Sequence, residues 1–336
     1  MVFCFIALAA CGFQFLLILF FAFAAFAQSP AGINWHYHST PRFVIAFQQQ
    51  DRVLSMRVLG ELQQRDQQLS ERLGYQPRRA ITVFLCPTQY IFERMTGGAV
   101  PHWGEAAANV AQFRIFLKTP AASDNRQLLP VTVTHELAHL CLAELAMPPN
   151  KTTATPRPLP RWFSEGAAIL LSGENRYAHP TVISRAILTN SLVEFDTIDD
   201  LLSFPSARAE LAYAESYHAV NFMTQRFGPE AIRKFAQAVG EWGETPQAFR
   251  AAFGEDLWDF EVAYFDYLRQ QFRWYFLLDE SFLFGAVIVT LLIAGFFITR
   301  WRTKKKLKEW EEEDEEDETR SSQMNHDRED DHLPRN

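Results

Sequence analysis

Apolar and polar positions change their spacing several times along the chain, and each change predicts an element. "RFVIAF", Arg42 to Phe47, reads as a strand. "DRVLSMRVLGELQQRDQQLSERLG" keeps Leu54, Val58, Leu62, Leu69 and Leu73 close to one face, which predicts a long amphipathic helix ending at Gly74. "RAITVFLCPT" is β-branched and aromatic and stops at Pro87, a second strand. "QYIFERMTGG" is a short helix closed by Gly97 and Gly98, and the imperfect alternation of "NVAQFRIFLKTP" predicts another strand. Everything after it is helical in pattern. One helix runs from near Gln127 to Leu145, ended by "MPPN", and "LPRWFSEGAAILLSG" begins the next. The expected class is α+β, a small mixed sheet followed by a mainly helical C-terminal half, with no internal repeat.

Two apolar blocks stand outside this pattern. "MVFCFIALAACGFQFLLILFFAFAAFAQ" ends in Ala25-Phe26-Ala27 and reads as a signal peptide, residues 1–27. No Lys or Arg precedes its apolar run, so an uncleaved anchor is the alternative. "LAAC" at Cys11 resembles a lipoprotein box, but the longer part of the apolar run follows it, which makes the match coincidental. "FLFGAVIVTLLIAGFFIT", Phe282 to Thr299, carries no charge over residues 282–299. At about 1.5 Å rise per residue it covers roughly 27 Å of hydrocarbon, a transmembrane helix. Trp274, Tyr275 and Trp301 flank it where interfacial aromatics belong. "RWRTKKKLK" follows, so the positive-inside rule puts residues 300–336 in the cytoplasm and the body, residues 28–279, outside.

Composition changes the picture in one respect. The chain has 336 residues, 48% of them apolar and 21% charged, enough to bury a sizeable core in one or two domains. Its net charge of −8 is a property of the tail: residues 309–336 carry −10 and the basic strip before them +6. The acidic tail is expected to be disordered. Only Cys86 and Cys141 lie in the exported body; a disulfide between them is one arrangement in an oxidising compartment, two buried free thiols the more usual one.

Candidate chemistry sits in "VTHELAHLCLAEL". Residues four apart on a helix are separated by about 40° around its axis, so His135 and His139 project from one face a turn apart and can grip one Zn²⁺. Glu136, about 100° round from His135, can address a water held there without being a ligand. The alternative is an ordinary buried helix that happens to carry the pattern. Burying two imidazoles and a carboxylate among Val131, Val133, Leu137, Leu140 and Leu142 without partners would cost several kcal/mol, which a metal relieves. A catalytic zinc also wants a third protein ligand. Glu165 in "RWFSEGAAILL" is the candidate, since an unpaired carboxylate is costly in so apolar a stretch; the plainer reading is a Glu favoured by the helix dipole.

With these residues in hand, "HELAH" followed by "PRWFSEGAA" resembles the gluzincin zinc metallopeptidases, best known from thermolysin, and particularly their peptidase-MA-like branch. "VFLCPTQYIFERMTGG", "FRIFLK", "AYAESYHAVNFMTQRFGPEAIRKFAQAVG" and "AFGEDLWDFEVAYFDYL" extend the likeness, in order, over most of Arg79 to Leu268. The resemblance implies His135, His139 and Glu165 as ligands of one Zn²⁺ and Glu136 as general base. It implies a Tyr or His on a later helix as oxyanion donor, with Tyr213 favoured and Tyr217 or His218 as alternatives, each equally readable as packing. "FRIFLK" resembles the edge strand that lies over the active-site helix and pairs with an extended peptide. One departure stands out: thermolysin-like enzymes have an Asp four residues beyond the glutamate ligand to orient a zinc histidine, and Ile169 is there instead. Asn150-Lys151-Thr152 fits a glycosylation sequon in a eukaryotic host.

The expected function is therefore a membrane-anchored, extracytoplasmic zinc metallopeptidase acting on peptide or protein substrates, with no nucleic-acid partner. The competing expectation is a catalytically inactive binding or assembly protein that keeps the fold. A hydrolase acting on a non-peptide bond is a third reading that nothing in the sequence calls for.

Overall fold

The structure is a computed structural model and describes residues 33–98, 100, 104–119, 129–149, 155–278 and 280–330. The expected signal peptide and the Asn150 sequon lie outside the described residues. The chain divides into two units, Met1–Arg273 and Trp274–Asn336.

In the first unit, a five-stranded sheet is built from β1 (His36–Ser39), β2 (Phe43–Phe47), β3 (Ile81–Cys86), β4 (Ala106–Asn109) and β5 (Arg114–Lys118), in the spatial order β1-β2-β3-β5-β4. β2, β3 and β5 are parallel, while β1 and β4 are antiparallel edges, so the sheet is mixed. The crossover from β2 to β3 is α1 (Arg52–Leu73), whose Val58, Leu62, Leu69 and Leu73 are buried and whose end is turned by Gly74 at φ 61°. α2 (Gln89–Thr96) follows β3, with the Thr88 side chain accepting from the Ile91 N–H at its start. Two strands escaped the sequence pattern. β1 is four residues of mixed polarity, and β4 is Ala-Ala-Ala-Asn, without the β-branched residues that mark a strand. "FRIFLK" is consequently not the edge: β5 lies between β3 and β4, and β4 is the edge strand. The expected single strand is a hairpin, its turn made by the Asn109 side chain accepting from the Gln112 N–H and by Phe113 at φ 52°.

The helical half comprises α3 (Leu129–Leu145), α4 (Arg161–Ser172), α5 (Thr181–Thr189), α6 (Phe195–Ile198), α7 (Ser206–Phe227), α8 (Ala231–Trp242), α9 (Thr245–Phe253) and α10 (Leu257–Phe272). Its core is aromatic. Trp162 stacks on Phe195 at 4.3 Å, and Phe163 meets Phe235 edge-on at 4.7 Å. Cys86 and Cys141 are buried free thiols in separate apolar clusters, each pushed up to about 12 by burial, so the bland arrangement holds.

α4 and α7 approach closely because position 166 has no side chain. A Cβ on Gly166 would stand 2.0 Å from the Ser216 carbonyl oxygen and 2.5 Å from its carbon, both backbone atoms of α7. Gly166→Ala must therefore part the two helices, at a cost of about 1–3 kcal/mol or more. Thermal unfolding of the detergent-solubilised chain is expected to show a midpoint several degrees below wild type; an unchanged midpoint would contradict this packing.

The second unit is dominated by α11 (Glu280–Asp330). Its stretch Leu283–Ser321 contains a window long and apolar enough to cross a membrane, none of it buried. The tail expected to be disordered is helical as far as Asp330. The physical reason is that Glu, Lys, Arg and Gln are strong helix formers, and an apolar helix already formed meets the nucleation cost, so each further residue only propagates it. A Lys305–Glu309 pair at 3.6 Å adds support one turn apart.

Candidate metal centre

α3 brings His135 and His139 to one face, ring centroids 4.9 Å apart and the two Nε2 atoms 3.2 Å apart. α4 supplies the third group. Its first turn is anchored by Asp199, whose carboxylate accepts from the Arg161 N–H at 2.8 Å, and Gly166 lets the helix settle against α7. Glu165 is thereby directed at the imidazoles, its Oε2 3.6 Å from Nε2 of both His135 and His139. Arg161 lies 3.5 Å from its other oxygen.

These three residues form a group that could hold a metal ion. A triangle with sides of 3.2, 3.6 and 3.6 Å has a circumradius of about 2.0 Å, which is the zinc–nitrogen and zinc–oxygen bond length. The donor set, two imidazoles and a carboxylate, is that of a catalytic zinc with one position left open. Electrostatics agree. Burial opposes a charge on His135, yet the neighbouring Glu165 and Glu174 carboxylates, with the Glu136 charge, outweigh it and raise the imidazole to about 10. Glu165 is likewise penalised by burial, but the two histidines hold it well below the usual carboxylate range. The pocket favours positive charge at the point where the donors converge.

The far side of each ring is also engaged. His139 Nδ1 is 2.9 Å from Ser164 Oγ; donating there leaves the Nε2 lone pair free for a cation. His135 Nδ1 lies 3.3 Å from Glu174 Oε2, close enough for an ion pair though too bent for a hydrogen bond of ordinary geometry. Neither partner was legible in the sequence. Ser164 precedes Glu165 directly, and Glu174 lies beyond the end of α4, where no helical spacing rule reaches.

Glu136 is buried at 8% exposure. Burial raises its pKa, opposed by His135 and His139 and by a backbone hydrogen bond from Ala108. The edge strand β4 thus touches this carboxylate directly. The Lys118 N–H donates to the Glu105 carbonyl at 3.0 Å, which sets the alternation of the hairpin: Ala107 and Asn109 pair with β5, while Ala106 and Ala108 turn their polar groups to the open side.

The three expected oxyanion candidates on α7 separate. Tyr213 shares the field of Glu165 and Glu136, and burial together with Glu165 pushes its phenol up, so it stays protonated. It stacks on Tyr177 at 5.2 Å. Tyr217 lies against His218 at 5.1 Å, and His218, buried, packs on Phe272 at 4.9 Å with its pKa lowered to about 4 by burial.

A sheet whose free edge lies over a helix carrying His-Glu-x-x-His, with a glutamate delivered from the next helix, defines a peptidase-like protein, and the apolar helix makes it membrane-associated. The family follows from comparison: the Peptidase MA superfamily model matches residues 63–270, and the chain belongs to that superfamily. Comparison with curated proteins gives no match.

Proposed function

We propose that the protein is a membrane-anchored zinc metallopeptidase that hydrolyses peptide bonds. The observation that carries this reading is the convergence of His135, His139 and Glu165 on one point, with bond-length spacing and Glu136 beside them, in a chain of the Peptidase MA superfamily. When bound there, zinc lowers the pKa of a water and polarises the scissile carbonyl.

The chain's own residues do the rest. Glu136, made more basic by burial than a free carboxylate, accepts the proton of the attacking water and delivers it to the leaving amine. Ala106, through its outward N–H and C=O, and Ala108, through its C=O, pair with an extended substrate along β4, which orients the scissile bond over α3. Tyr213, kept protonated, donates to the oxyanion. Residues 1–27 act as a signal peptide and residues 28–279 form an extracytoplasmic domain. The basic strip after the apolar helix holds residues 300–336 in the cytoplasm.

The test uses the detergent-solubilised full chain against a broad peptide library. Cleavage is expected, abolished by a zinc chelator and restored by stoichiometric zinc. Stoichiometric zinc without cleavage of any peptide would leave a binding or assembly protein instead, and absence of zinc binding would overturn both.

A further inference from the structure

The chain lacks a carboxylate one turn beyond Glu165: Ile169 stands there, fully buried in the apolar core. An imidazole that ligates through Nε2 nevertheless needs its Nδ1–H engaged, because that contact fixes ring orientation and raises ligand basicity. The backbone supplies a substitute by a turn. α4 ends at Gly173, at φ 72°, and the Glu174 N–H closes back on the Ile169 carbonyl at 3.2 Å, a left-handed helix stop that reverses the chain. The reversal returns Glu174 to the face of α3, with Oε2 3.3 Å from His135 Nδ1.

Glu174 is itself held. Its second oxygen accepts from Arg176 Nε at 2.8 Å. Arg176 also donates to the Tyr177 hydroxyl and lies over the Tyr177 ring at 4.4 Å. Tyr177, 7% exposed, stacks in turn on Tyr213 at 5.2 Å. A segment of five residues, 173–177, therefore contacts both the far side of one imidazole and the ring of Tyr213. Arg176 is 65% exposed, and an exposed ion pair stabilises a fold little, so its geometry serves orientation more than stability.

We infer that Glu174 is a positioning residue that orients His135 from behind for metal binding, and that Arg176 holds Glu174 and Tyr177 in place so that the 173–177 turn aligns His135 and Tyr213 together. This deepens the zinc reading above and rests on it. Glu174 contacts no substrate and acts only through His135.

The experiment measures zinc affinity by chelator competition on the solubilised full chain, with the visible spectrum of the cobalt-substituted protein as a second readout. Wild type, Glu174→Gln and Arg176→Ala are compared, and the unfolding midpoint of each metal-free chain serves as the folding control. Glu174→Gln is expected to bind zinc about 10–100-fold more weakly, the usual effect of losing such a partner, and to change the cobalt spectrum at an unchanged metal-free midpoint. Wild-type affinity and spectrum in Glu174→Gln would overturn the inference while leaving the zinc reading intact. Should Glu174→Gln not fold, Arg176→Ala, altered at an exposed site, carries the test: weaker zinc binding supports the inference and wild-type binding overturns it. A wild-type chain that binds no zinc would overturn the zinc reading and this inference with it.

Discussion

Glu136→Gln is expected to abolish measurable peptide hydrolysis while leaving zinc in place. The amide keeps the size of the carboxylate and can still accept from the Ala108 N–H, so β4 and α3 stay in register. What it cannot do is take a proton from water. A positioned general acid–base contributes about 10²–10⁴-fold to rate, and that whole factor should be lost from kcat. Because Glu136 does not belong to the converging triad of donor atoms, zinc content should match wild type. A Glu136→Gln chain with wild-type kcat would assign the proton transfer elsewhere.

Glu165→Ala should have the larger effect on the metal. Of the three converging donors Glu165 is the one that comes from α4, and its removal leaves two nitrogens 3.2 Å apart facing an open third position. Zinc affinity is expected to fall by more than the about 10–100-fold that loss of an outer partner costs, and hydrolysis to fall with it. Removing the carboxylate that the two histidines hold well below the usual range also leaves the buried His135 imidazolium without this partner, so the metal-free chain should unfold earlier than wild type. Isothermal titration with zinc and thermal unfolding of the metal-free chain check both halves. Wild-type zinc affinity would remove Glu165 from the ligand set.

The residues at regular spacings were the ones legible in the sequence. The stripe from Val58 to Leu73, the stop at Gly74 and the pair His135 and His139 all follow from a helical period that the structure keeps. Glu165 was legible because a carboxylate in an apolar helix demands a partner. β4 was hidden by its composition: Ala106–Ala108 have no strand preference of their own, and they form a strand because they pair with β5. Glu174 was hidden by geometry. It reaches His135 only because Gly173 adopts a left-handed conformation and reverses the chain, a tertiary event that no linear spacing encodes. The tail misled in the opposite direction, since its charge density suggested disorder while its residue types are helix formers continuing an existing helix.

X-ray absorption at the zinc edge, on the purified wild-type chain, tests the central claim most directly. A centre made by His135, His139 and Glu165 predicts one zinc per chain, surrounded only by nitrogen and oxygen at about 2.0–2.1 Å, with two imidazole rings in the outer shells. A sulfur shell near 2.3 Å, which among the described residues would draw in Cys141 two positions past His139, or a chain that retains no zinc, would contradict it.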